Sequence, residues 1–291
     1  MAKRWRIHPH DTDRIQALQR SARIPAVVAQ LLICRGITGP QPARQFLDPK
    51  LTDLRDPKEL PGCVEAAERI HRAIGEGRRI IVYGDYDVDG ITGTALMRQC
   101  IKMLGGDVGY YVPHRVNEGY GLNREALEGL AAEKTELVVT VDCGITAVEE
   151  AALAQQCGLG LIVTDHHQPG RELPQAASIV HPALPGHTYP FLGLSGAGVA
   201  LKLAWALCQQ ASGAARVAPK MREFLLQAVG LAALGTIADV VPLVDENRVL
   251  VRYGLEWSLK ECPPVGLKAL MRVAKLNANG KLASEDVAFS L

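Results

Sequence analysis

Aromatic side chains and closely spaced cysteines are scarce in this sequence of 291 residues. Phe, Trp and Tyr make up only 5% of the chain, so its core has to be built from aliphatic side chains, as in parallel-sheet α/β proteins. The seven cysteines are widely spread and include no C-x-x-C pair, which argues against a zinc ribbon or a disulfide framework. This cysteine usage is typical of a reduced, cytoplasmic protein.

The sequence also lacks a secretory signal and an apolar run long enough for a membrane span. Its first residues, MAKRWRIHPHDTDR, contain no apolar stretch. The longest strongly apolar run, from Phe224 to Ala238, is shorter than the roughly 20 residues of a membrane span, which predicts a buried helix. Hydrophobic residues make up 48% of the chain, which excludes disorder over most of its length. We therefore expect a globular protein that is not bound to a membrane.

The net charge of +1 hides an uneven distribution of charge along the chain. Basic residues exceed acidic ones by 6 in residues 1–84 and by 3 in residues 247–291, whereas acidic residues exceed basic ones by 8 in residues 85–246. An acidic middle between basic flanks suits a cation-binding centre beside an anionic polymer. Chance and solvated helix faces explain the same pattern equally well.

Short β-rich segments alternate with helical patterns in the middle of the chain. RRIIVYG, DVGYYV, ELVVTVD and LGLIVTD predict strands, and the segments between them predict helices. Asn123 is placed to cap one of these helices, and Thr146 with Glu149 forms a capping box for the next. This alternation predicts an α/β fold with a doubly wound, mostly parallel sheet.

The pattern changes towards both ends, which suggests a division into three parts. We expect a helical N-terminal appendage at residues 1–62 and a catalytic domain at residues 63–245. C-terminal helices follow, with residues 246–291 as a helical linker towards a second domain. Two long helices are predicted near the end of the catalytic domain, one after Ser195 and one from Pro219.

Three of the four predicted strands end in acidic or histidine residues. These residues are Asp85, Asp87 and Asp89 after the first strand, Asp142 after the third, and Asp165, His166 and His167 after the fourth. The carboxyl ends of parallel strands lie along one edge of a sheet, where ligands bind. Carboxylates packed this closely repel one another by roughly several kcal/mol at an effective dielectric near 20. A divalent cation neutralises them compactly.

The types of side chain indicate which cation would bind. Carboxylates with one or two imidazoles and no thiolate favour Mn²⁺ or Mg²⁺. Asp87 and Asp89 alternate in a segment that we expect to be extended, so they can share one face and bridge a metal pair. Asp239 ends an apolar run and is a further candidate ligand, because an unpaired charge would be costly there. Taken singly, Asp142 is explained as a helix cap, and a buried histidine is explained as a hydrogen-bonded core residue. The occurrence of such residues after three strands at one edge of the sheet favours a metal site.

Two segments could bind an anionic substrate. YVPHRVNEGYGLN presents His114 and Arg115 at the same edge, and the planar guanidinium of arginine binds phosphate in two places. A surface salt bridge explains Arg115 equally well. Ser195 and Gly196 open a helix in the segment SGAG, where exposed backbone N–H groups could bind phosphate. A simple helix cap explains that segment too.

The motifs GDYDVDGIT, VTVDCGIT, VTDHHQPG, SGAGVALKL and GTIADVVPL together resemble those of the DHH phosphoesterase superfamily, between about Val64 and Leu243. The segment PHRVNEGYGLN favours the RecJ family within it, the single-strand-specific 5′→3′ DNA exonucleases of repair and recombination. The resemblance implies two Mn²⁺ or Mg²⁺ ions, held by Asp87, Asp89, Asp142, His166 and Asp239. It implies catalytic roles for His167, near the scissile phosphate, and for Asp85, as a ligand or a support. Arg115 corresponds to a contact with the nucleic-acid backbone. The implied partners are single-stranded DNA and other repair or replication proteins.

Two departures from the superfamily pattern limit the comparison. The pyrophosphatase branch has a histidine where this chain has Tyr83, which weighs against that branch. The Gly-Gly-His motif of the usual second domain is absent, so we expect the chain to be the front part of a longer protein. A DHH oligoribonuclease or cyclic-dinucleotide phosphodiesterase is the alternative enzyme. A non-catalytic scaffold of the same fold is the alternative of another class.

Overall fold

In a computed structural model the structure describes residues 11–261, 263–275 and 282–290. The first ten residues of the segment tested for a secretory signal lie outside the described residues, as do residues 262, 276–281 and 291 of the predicted linker. The chain divides into two compact units, Met1–Asp53 and Leu54–Leu291. The predicted boundaries after residues 62 and 245 stay predictions.

The first unit is a small group of helices. Its helices are α1 (Thr12–Ala22), α2 (Ala26–Cys34) and α3 (Pro40–Leu47), followed by a 3-10 turn at Leu51–Asp53. The carboxylate of Asp11 accepts a hydrogen bond from the Arg14 amide and caps α1. Leu18, Ala29 and Leu32 are buried in its small apolar cluster. None of the predicted site residues lies in this unit.

A five-stranded parallel sheet forms the centre of the second unit. Its strands are β1 (Ile80–Gly84), β2 (Val108–Tyr111), β3 (Leu137–Val141), β4 (Gly160–Thr164) and β5 (Ser178–Val180), in the order β2-β1-β3-β4-β5. The four predicted strands are confirmed, and β5 is an addition. All residues of β1 and β3 are buried, which explains why both strands read as unbroken apolar runs.

Helices cover both faces of this sheet. The described helices of the second unit are α4 (Cys63–Gly75), α5 (Val88–Met103), α6 (Arg124–Ala132), α7 (Val148–Gln156), α8 (Gly196–Ser212), α9 (Pro219–Ala238), α10 (Asp245–Tyr253), α11 (Leu259–Glu261), α12 (Val265–Val273) and α13 (Ser284–Ser290). A 3-10 turn at Pro57–Glu59 and a π-helical turn at Gly254–Ser258 complete the described elements. Helices α6 and α7 pack on one face, and α5 and α8 on the other, with α4 beside α8 against β5 and α9 packed on α5 and α8. The predicted doubly wound α/β fold is confirmed.

The two predicted helix caps have different outcomes. The side chain of Asn123 accepts a hydrogen bond from the Ala126 amide and caps α6, as predicted. The capping box at Thr146 and Glu149 is wrong, because α7 begins after Ala147 without a side-chain cap. A tight turn, closed by a bond from the Ala147 amide to the Gly144 carbonyl, moves the start of the helix past Thr146.

Helix α9 contains the longest apolar run of the sequence. By length and composition it could cross a membrane, but 56% of its most apolar window is buried inside the protein. The buried residues run from Ala228 to Ile237, where α9 packs against α5, α8 and α10. The prediction of a buried helix is therefore correct for the C-terminal half of this segment.

Candidate metal centre

The sheet order reverses between β1 and β3, and the predicted site residues lie at that point. Asp85 follows the last residue of β1, and Asp142 follows the last residue of β3, which is paired with β1. Asp165 follows β4 next to them. A crevice outside the carboxyl ends of the strands is expected where the order reverses. The strand ends therefore meet as the sequence predicted.

Asp87 and Asp89 lie at the beginning of α5. The Asp87 side chain accepts a hydrogen bond from the Gly90 amide, which makes it the helix cap, and Asp89 lies in the first turn. The expectation of an extended segment is wrong, because the chain becomes helical at Val88. Asp87 is exposed and Asp89 is buried. Their bridging of a metal pair stays a prediction.

The carboxylate of Asp89 is held by the N-terminus of α8. The Gly196 amide donates to Asp89 Oδ2 at 2.6 Å and the Ala197 amide to Oδ1 at 3.0 Å. Ser195 caps the helix by accepting from the Gly198 amide, and it is fully buried. The prediction of a phosphate site at Ser195 and Gly196 is therefore wrong. Its N–H groups already bind a protein carboxylate, and both residues are out of reach of a substrate.

His166 lies at the centre of the acidic residues. Its Nε2 atom is 3.1 Å from Asp142 Oδ1, 3.6 Å from Asp239 Oδ2 and 3.9 Å from Asp89 Oδ2. Three of these atoms, His166 Nε2, Asp142 Oδ1 and Asp239 Oδ2, are buried and have no hydrogen-bond partner. Buried polar atoms are nearly always paired, so an arrangement of unpaired ones around one point needs an ion. The residues therefore fit a divalent cation.

Within the described part of the chain, three overlapping groups of side chains could hold a metal ion, each with ligand atoms within 4.8 Å of one another. The groups are Asp89, His166 and Asp239; Asp142, His166 and His167; and Asp85, Asp87 and Asp142. Every residue predicted as a ligand belongs to one of these groups. Asp142 and His166 each belong to two, so they connect the groups into one centre.

Asp142 reaches this position through an unusual backbone conformation. Its φ angle of +65° lies in the left-handed region, which is uncommon for a residue with a side chain. Gly196 makes room for its carboxylate: a Cβ atom there would lie 2.5 Å from Asp142 Oδ1. Gly235 of α9 makes room in the same way for Asp89. Strained conformations of this kind cluster at functional sites.

Burial and mutual repulsion change the acidity of this centre. Burial, with the charges of Asp89 and Asp87, raises the pKa of Asp142 to about 10. Burial also raises the pKa of Asp89 to about 6 and the pKa of Asp239 above its usual value. Without a cation the centre therefore retains protons that a metal ion would displace.

Asp165 has a different part from the other acidic residues. It is buried and accepts hydrogen bonds from the backbone amides of Ile145, His166 and His167. Its Oδ1 atom is also 2.7 Å from His167 Nδ1. Burial alone would raise the pKa of Asp165, but these contacts hold it below its usual value. The Asp165 carboxylate in turn raises the pKa of His167. Asp165 thus orients His167 and leaves its Nε2 for a substrate.

Two contacts of this centre were not predicted from the sequence. His181, directly after β5, is fully buried and its Nε2 atom lies 2.8 Å from the His167 carbonyl oxygen. Because its Nδ1 accepts from the Ala183 amide, the Nε2 atom carries the hydrogen and donates it. The Tyr120 hydroxyl donates to the Asp142 carbonyl oxygen at 3.2 Å and lies 3.2 Å from His167 Nδ1. The only signal in the sequence for His181 is its place after a short apolar triplet.

The predicted substrate contacts lie in the exposed loop between β2 and α6. The Arg115 guanidinium is 5.2 Å from the ring centroid of Tyr86, the residue after Asp85. His114 is exposed and belongs to none of the three ligand groups. Tyr83 does not take the place of the missing histidine, because its hydroxyl donates to the Gly121 carbonyl at 3.0 Å. Contacts of Arg115 and His114 with a substrate stay predictions.

A family model described as the DHH family, N-terminal domain, matches residues 79–236. The chain belongs to the DHH family. The matched residues include the sheet and all the predicted ligands except Asp239. The resemblance drawn from the sequence motifs is thus confirmed.

Among DHH-family proteins, this chain is similar to single-stranded-DNA-specific exonucleases named RecJ. It is 43% identical to Bacillus subtilis RecJ over 288 residues, which is 99% of this chain and 35% of that protein. A manganese complex of Thermus thermophilus RecJ is 35% identical with a TM-score of 0.75, over 96% of this chain and 37% of that one. A manganese-bound RecJ crystal structure is 39% identical with a TM-score of 0.68, over 82% and 57%. The chain spans less than half the length of the curated relatives that it matches.

Proposed function

We propose that this chain carries the metal centre of a divalent-metal-dependent phosphodiesterase that degrades single-stranded DNA from the 5′ end. The observation that carries this proposal is the set of unpaired buried atoms around His166 Nε2. The similarity to single-stranded-DNA-specific exonucleases named RecJ supports the substrate, and the direction of cleavage rests on the resemblance of the sequence motifs to the RecJ family. DNA repair and recombination in the cytoplasm, with other repair or replication proteins, are the setting that this activity implies.

We propose that the centre holds two Mn²⁺ or Mg²⁺ ions. Three ligand groups that share Asp142 and His166 support a pair of ions better than a single one. Asp89, His166 and Asp239 would hold one ion, and Asp85, Asp87 and Asp142 the other. A bound pair would supply Lewis acidity for hydrolysis of a phosphodiester.

The side chains around the centre would do the rest of the work. Asp165 holds His167 through Nδ1, so the Nε2 atom of His167 can donate a hydrogen bond or a proton to a phosphate oxygen. The raised pKa of His167 keeps more of the ring protonated near neutral pH, which suits that role. Arg115 would bind the DNA backbone from the loop beside Tyr86.

Replacement of Asp142 by Ala tests this function. We expect the variant to lose Mn²⁺-dependent cleavage of a 5′-labelled single strand, by about 10³-fold or more, because two of the three ligand groups lose a carboxylate. Asp107→Ala is the matched control, since Asp107 is exposed and its side chain pairs with Arg79, away from the centre. Nuclease activity in Asp142→Ala equal to that of the control would contradict the proposal.

Two further measurements separate the alternatives. Rates on long single-stranded DNA, on oligoribonucleotides and on cyclic dinucleotides distinguish a DNA exonuclease from the other enzymes of this family. A binding isotherm for Mn²⁺ distinguishes both from a non-catalytic scaffold. A protein that neither binds Mn²⁺ nor cleaves any of these substrates would support the scaffold.

A further inference from the structure

The loop from Pro113 to Gly121, between β2 and α6, carries side chains that reach the metal centre. The Tyr120 hydroxyl donates to the Asp142 carbonyl, and its ring lies edge-on to His167, with 5.8 Å between centroids. Arg115 lies over Tyr86, whose ring is edge-on to Tyr120 at 6.3 Å. The loop therefore forms one wall of the candidate site.

Apolar burial does not hold the middle of this loop in place, because residues 114–117 and 119–120 are exposed. Val116 is 83% exposed and Tyr120 is 51% exposed. Gly119 and Gly121, on either side of Tyr120, have φ angles of +80° and +77°. Glycine leaves the backbone free to adopt many conformations, so the observed one has to be fixed by other contacts. Those contacts are polar.

Glu118 makes two of them. One carboxylate oxygen accepts a hydrogen bond from the Tyr111 hydroxyl, and the other accepts from the His114 amide at 2.7 Å. The His114 carbonyl in turn accepts from the Glu118 amide at 2.8 Å, which closes the turn around Arg115. The carboxylate thus joins the beginning of the loop to its end.

The negative charge of Glu118 indicates that its role is to hold the loop and not to bind phosphate. Its hydrogen bonds to Tyr111 and His114 hold the pKa of Glu118 below its usual value, so it is ionised at neutral pH. An anionic side chain three residues from Arg115 repels a polyanion and weakens phosphate binding on its own. Its benefit to binding has to come from the shape that it gives the loop.

The partner of Glu118 is fixed by the sheet. The Tyr111 ring stacks on Tyr83 with 5.0 Å between centroids, and both rings pack in the buried cluster beneath α6 and α7. The Tyr83 hydroxyl donates to the Gly121 carbonyl and accepts from Asn123 Nδ2 at 3.1 Å. Two adjacent strands therefore hold the C-terminal part of the loop through tyrosine hydroxyls, at Glu118 and at Gly121.

We propose that Glu118 is a positioning residue that, by bridging the Tyr111 hydroxyl and the His114 amide, holds Arg115 and Tyr120 at the metal centre for a single strand. This inference rests on the proposed function, because it assigns the affinity for single-stranded DNA to the closed loop. Glu118 itself does not contact the reacting atoms.

Glu118→Ala tests the proposal, with Glu128→Ala on the exposed face of α6 as the matched control. We expect the KM for single-stranded DNA to rise about tenfold, because two charge-assisted hydrogen bonds are lost. The Kd for Mn²⁺ should stay within about twofold of the wild-type value, since no ligand has changed. Trypsin cleavage after Arg115, followed by mass spectrometry, should become about tenfold faster as the loop opens.

Conservative variants distinguish positioning from a general structural role. Glu118→Gln keeps one acceptor oxygen, so its KM should lie between those of the wild type and Glu118→Ala. Tyr111→Phe removes only the hydroxyl and should raise KM without adding to the effect of Glu118→Ala, because the two changes break the same bond. Full additivity of these two changes would overturn the proposal.

The trypsin measurement separates the two proposals, because it does not depend on catalysis. If the wild type neither binds nor cleaves single-stranded DNA, the proposed function fails, and the inference about DNA affinity fails with it. If the wild type cleaves DNA but Glu118→Ala keeps the wild-type KM and the wild-type rate of trypsin cleavage, only the positioning role is overturned.

Discussion

At the scale of single residues, two glycines are as important to the metal centre as its acidic side chains. A Cβ atom on Gly235 would overlap Asp89 Oδ1 and lie 2.7 Å from both Ala197 Cβ and Thr92 Oγ1. Real Cβ atoms do not approach other atoms this closely, so Asp89 or a helix would have to move. Asp89 is fixed by two amides of α8 and cannot move without losing them.

We predict that Gly235→Ala weakens Mn²⁺ binding about tenfold or more while the protein still folds, because the added methyl group displaces Asp89. Isothermal titration with Mn²⁺ measures the loss. Gly129→Ala is the control: it lies within α6 and its Cβ would meet nothing within 4 Å. That change should leave Mn²⁺ binding intact and add up to about 1 kcal/mol of stability. Equal Mn²⁺ affinities of the two variants would contradict this account of Gly235.

The raised pKa of Asp142 predicts how pH affects the metal-free protein. Folded Asp142 keeps its proton up to about pH 10, whereas its usual value is 3.8, so between these values the folded state binds a proton that the unfolded state has lost. The metal-free protein should therefore lose stability as pH rises through this range. Mn²⁺ at about 100 times its Kd should restore about 2.7 kcal/mol.

Thermal unfolding in EDTA at pH 6 and pH 9 measures this effect. We expect the midpoint of the wild type to fall between these pH values and to recover when Mn²⁺ is added. Asp142→Asn cannot ionise at this position, so its midpoint should fall less and should respond weakly to Mn²⁺. A wild-type midpoint that rises from pH 6 to pH 9 in EDTA would show that Asp142 is not held protonated.

At the scale of elements, the sequence predicts the strands and helices well because their periodicity is local. The apolar runs of β1, β3 and β4 and the helices between them lie where the pattern indicated. The errors arise where one residue decides the geometry. Asp87 caps a helix, so the alternation of Asp87 and Asp89 did not mean an extended segment. Strand β5 is only three residues long, too short for a pattern of its own.

That short strand nevertheless places a residue that the metal centre needs. His181 follows β5 and fixes the backbone of the loop that carries His166 and His167. Burial lowers the pKa of His181, which keeps the ring neutral and its Nδ1 able to accept the Ala183 amide. His181 is fully buried and both hydrogen bonds are partly buried, so their loss leaves a carbonyl and an amide without these partners.

We predict that His181→Ala destabilises the protein by about 2–4 kcal/mol, because a fully buried side chain and its two hydrogen bonds are lost. The rate of cleavage should also fall, since His167 is no longer fixed relative to Asp142. Urea unfolding and single-turnover kinetics measure the two effects. His187→Ala, an exposed histidine of the next loop, is the control and should change neither. An inactive His181→Ala variant with wild-type stability would contradict a role through backbone positioning.

At the scale of the whole molecule, parallel strands make the site predictable from the sequence. Strands that run in one direction bring their carboxyl ends together, so Asp85, Asp142 and His166 had to meet. The arrival of α8 beside Asp89 had no such signal, because it depends on how helices pack over the sheet. The sequence patterns likewise did not predict which side chains pair with buried charges.

A second group of buried charges surrounds Glu246. Its carboxylate is fully buried and accepts hydrogen bonds from Lys202 Nζ, from the Tyr189 hydroxyl and, at 3.0 Å, from the Arg55 amide. Lys202 Nζ also donates to the Arg55 carbonyl at 2.6 Å. These contacts join α8 and α10 to two loops that are far apart in the sequence. A buried ion pair of this kind specifies one arrangement, because each charge is costly without the other.

We predict that Lys202→Met destabilises the protein by about 3–5 kcal/mol, because the buried Glu246 carboxylate loses its buried cation and keeps only the Arg55 guanidinium, 3.3 Å from Oε2. Adding Glu246→Gln should restore part of this loss, since the buried charge is then removed as well. The exposed Lys220→Met is the control and should change stability by less than about 0.5 kcal/mol. Urea unfolding of the wild type, Lys202→Met, Glu246→Gln and the double variant gives the coupling energy between Lys202 and Glu246. If the double variant is as unstable as the sum of its single variants, Lys202 and Glu246 act independently and the ion pair does not hold these elements together.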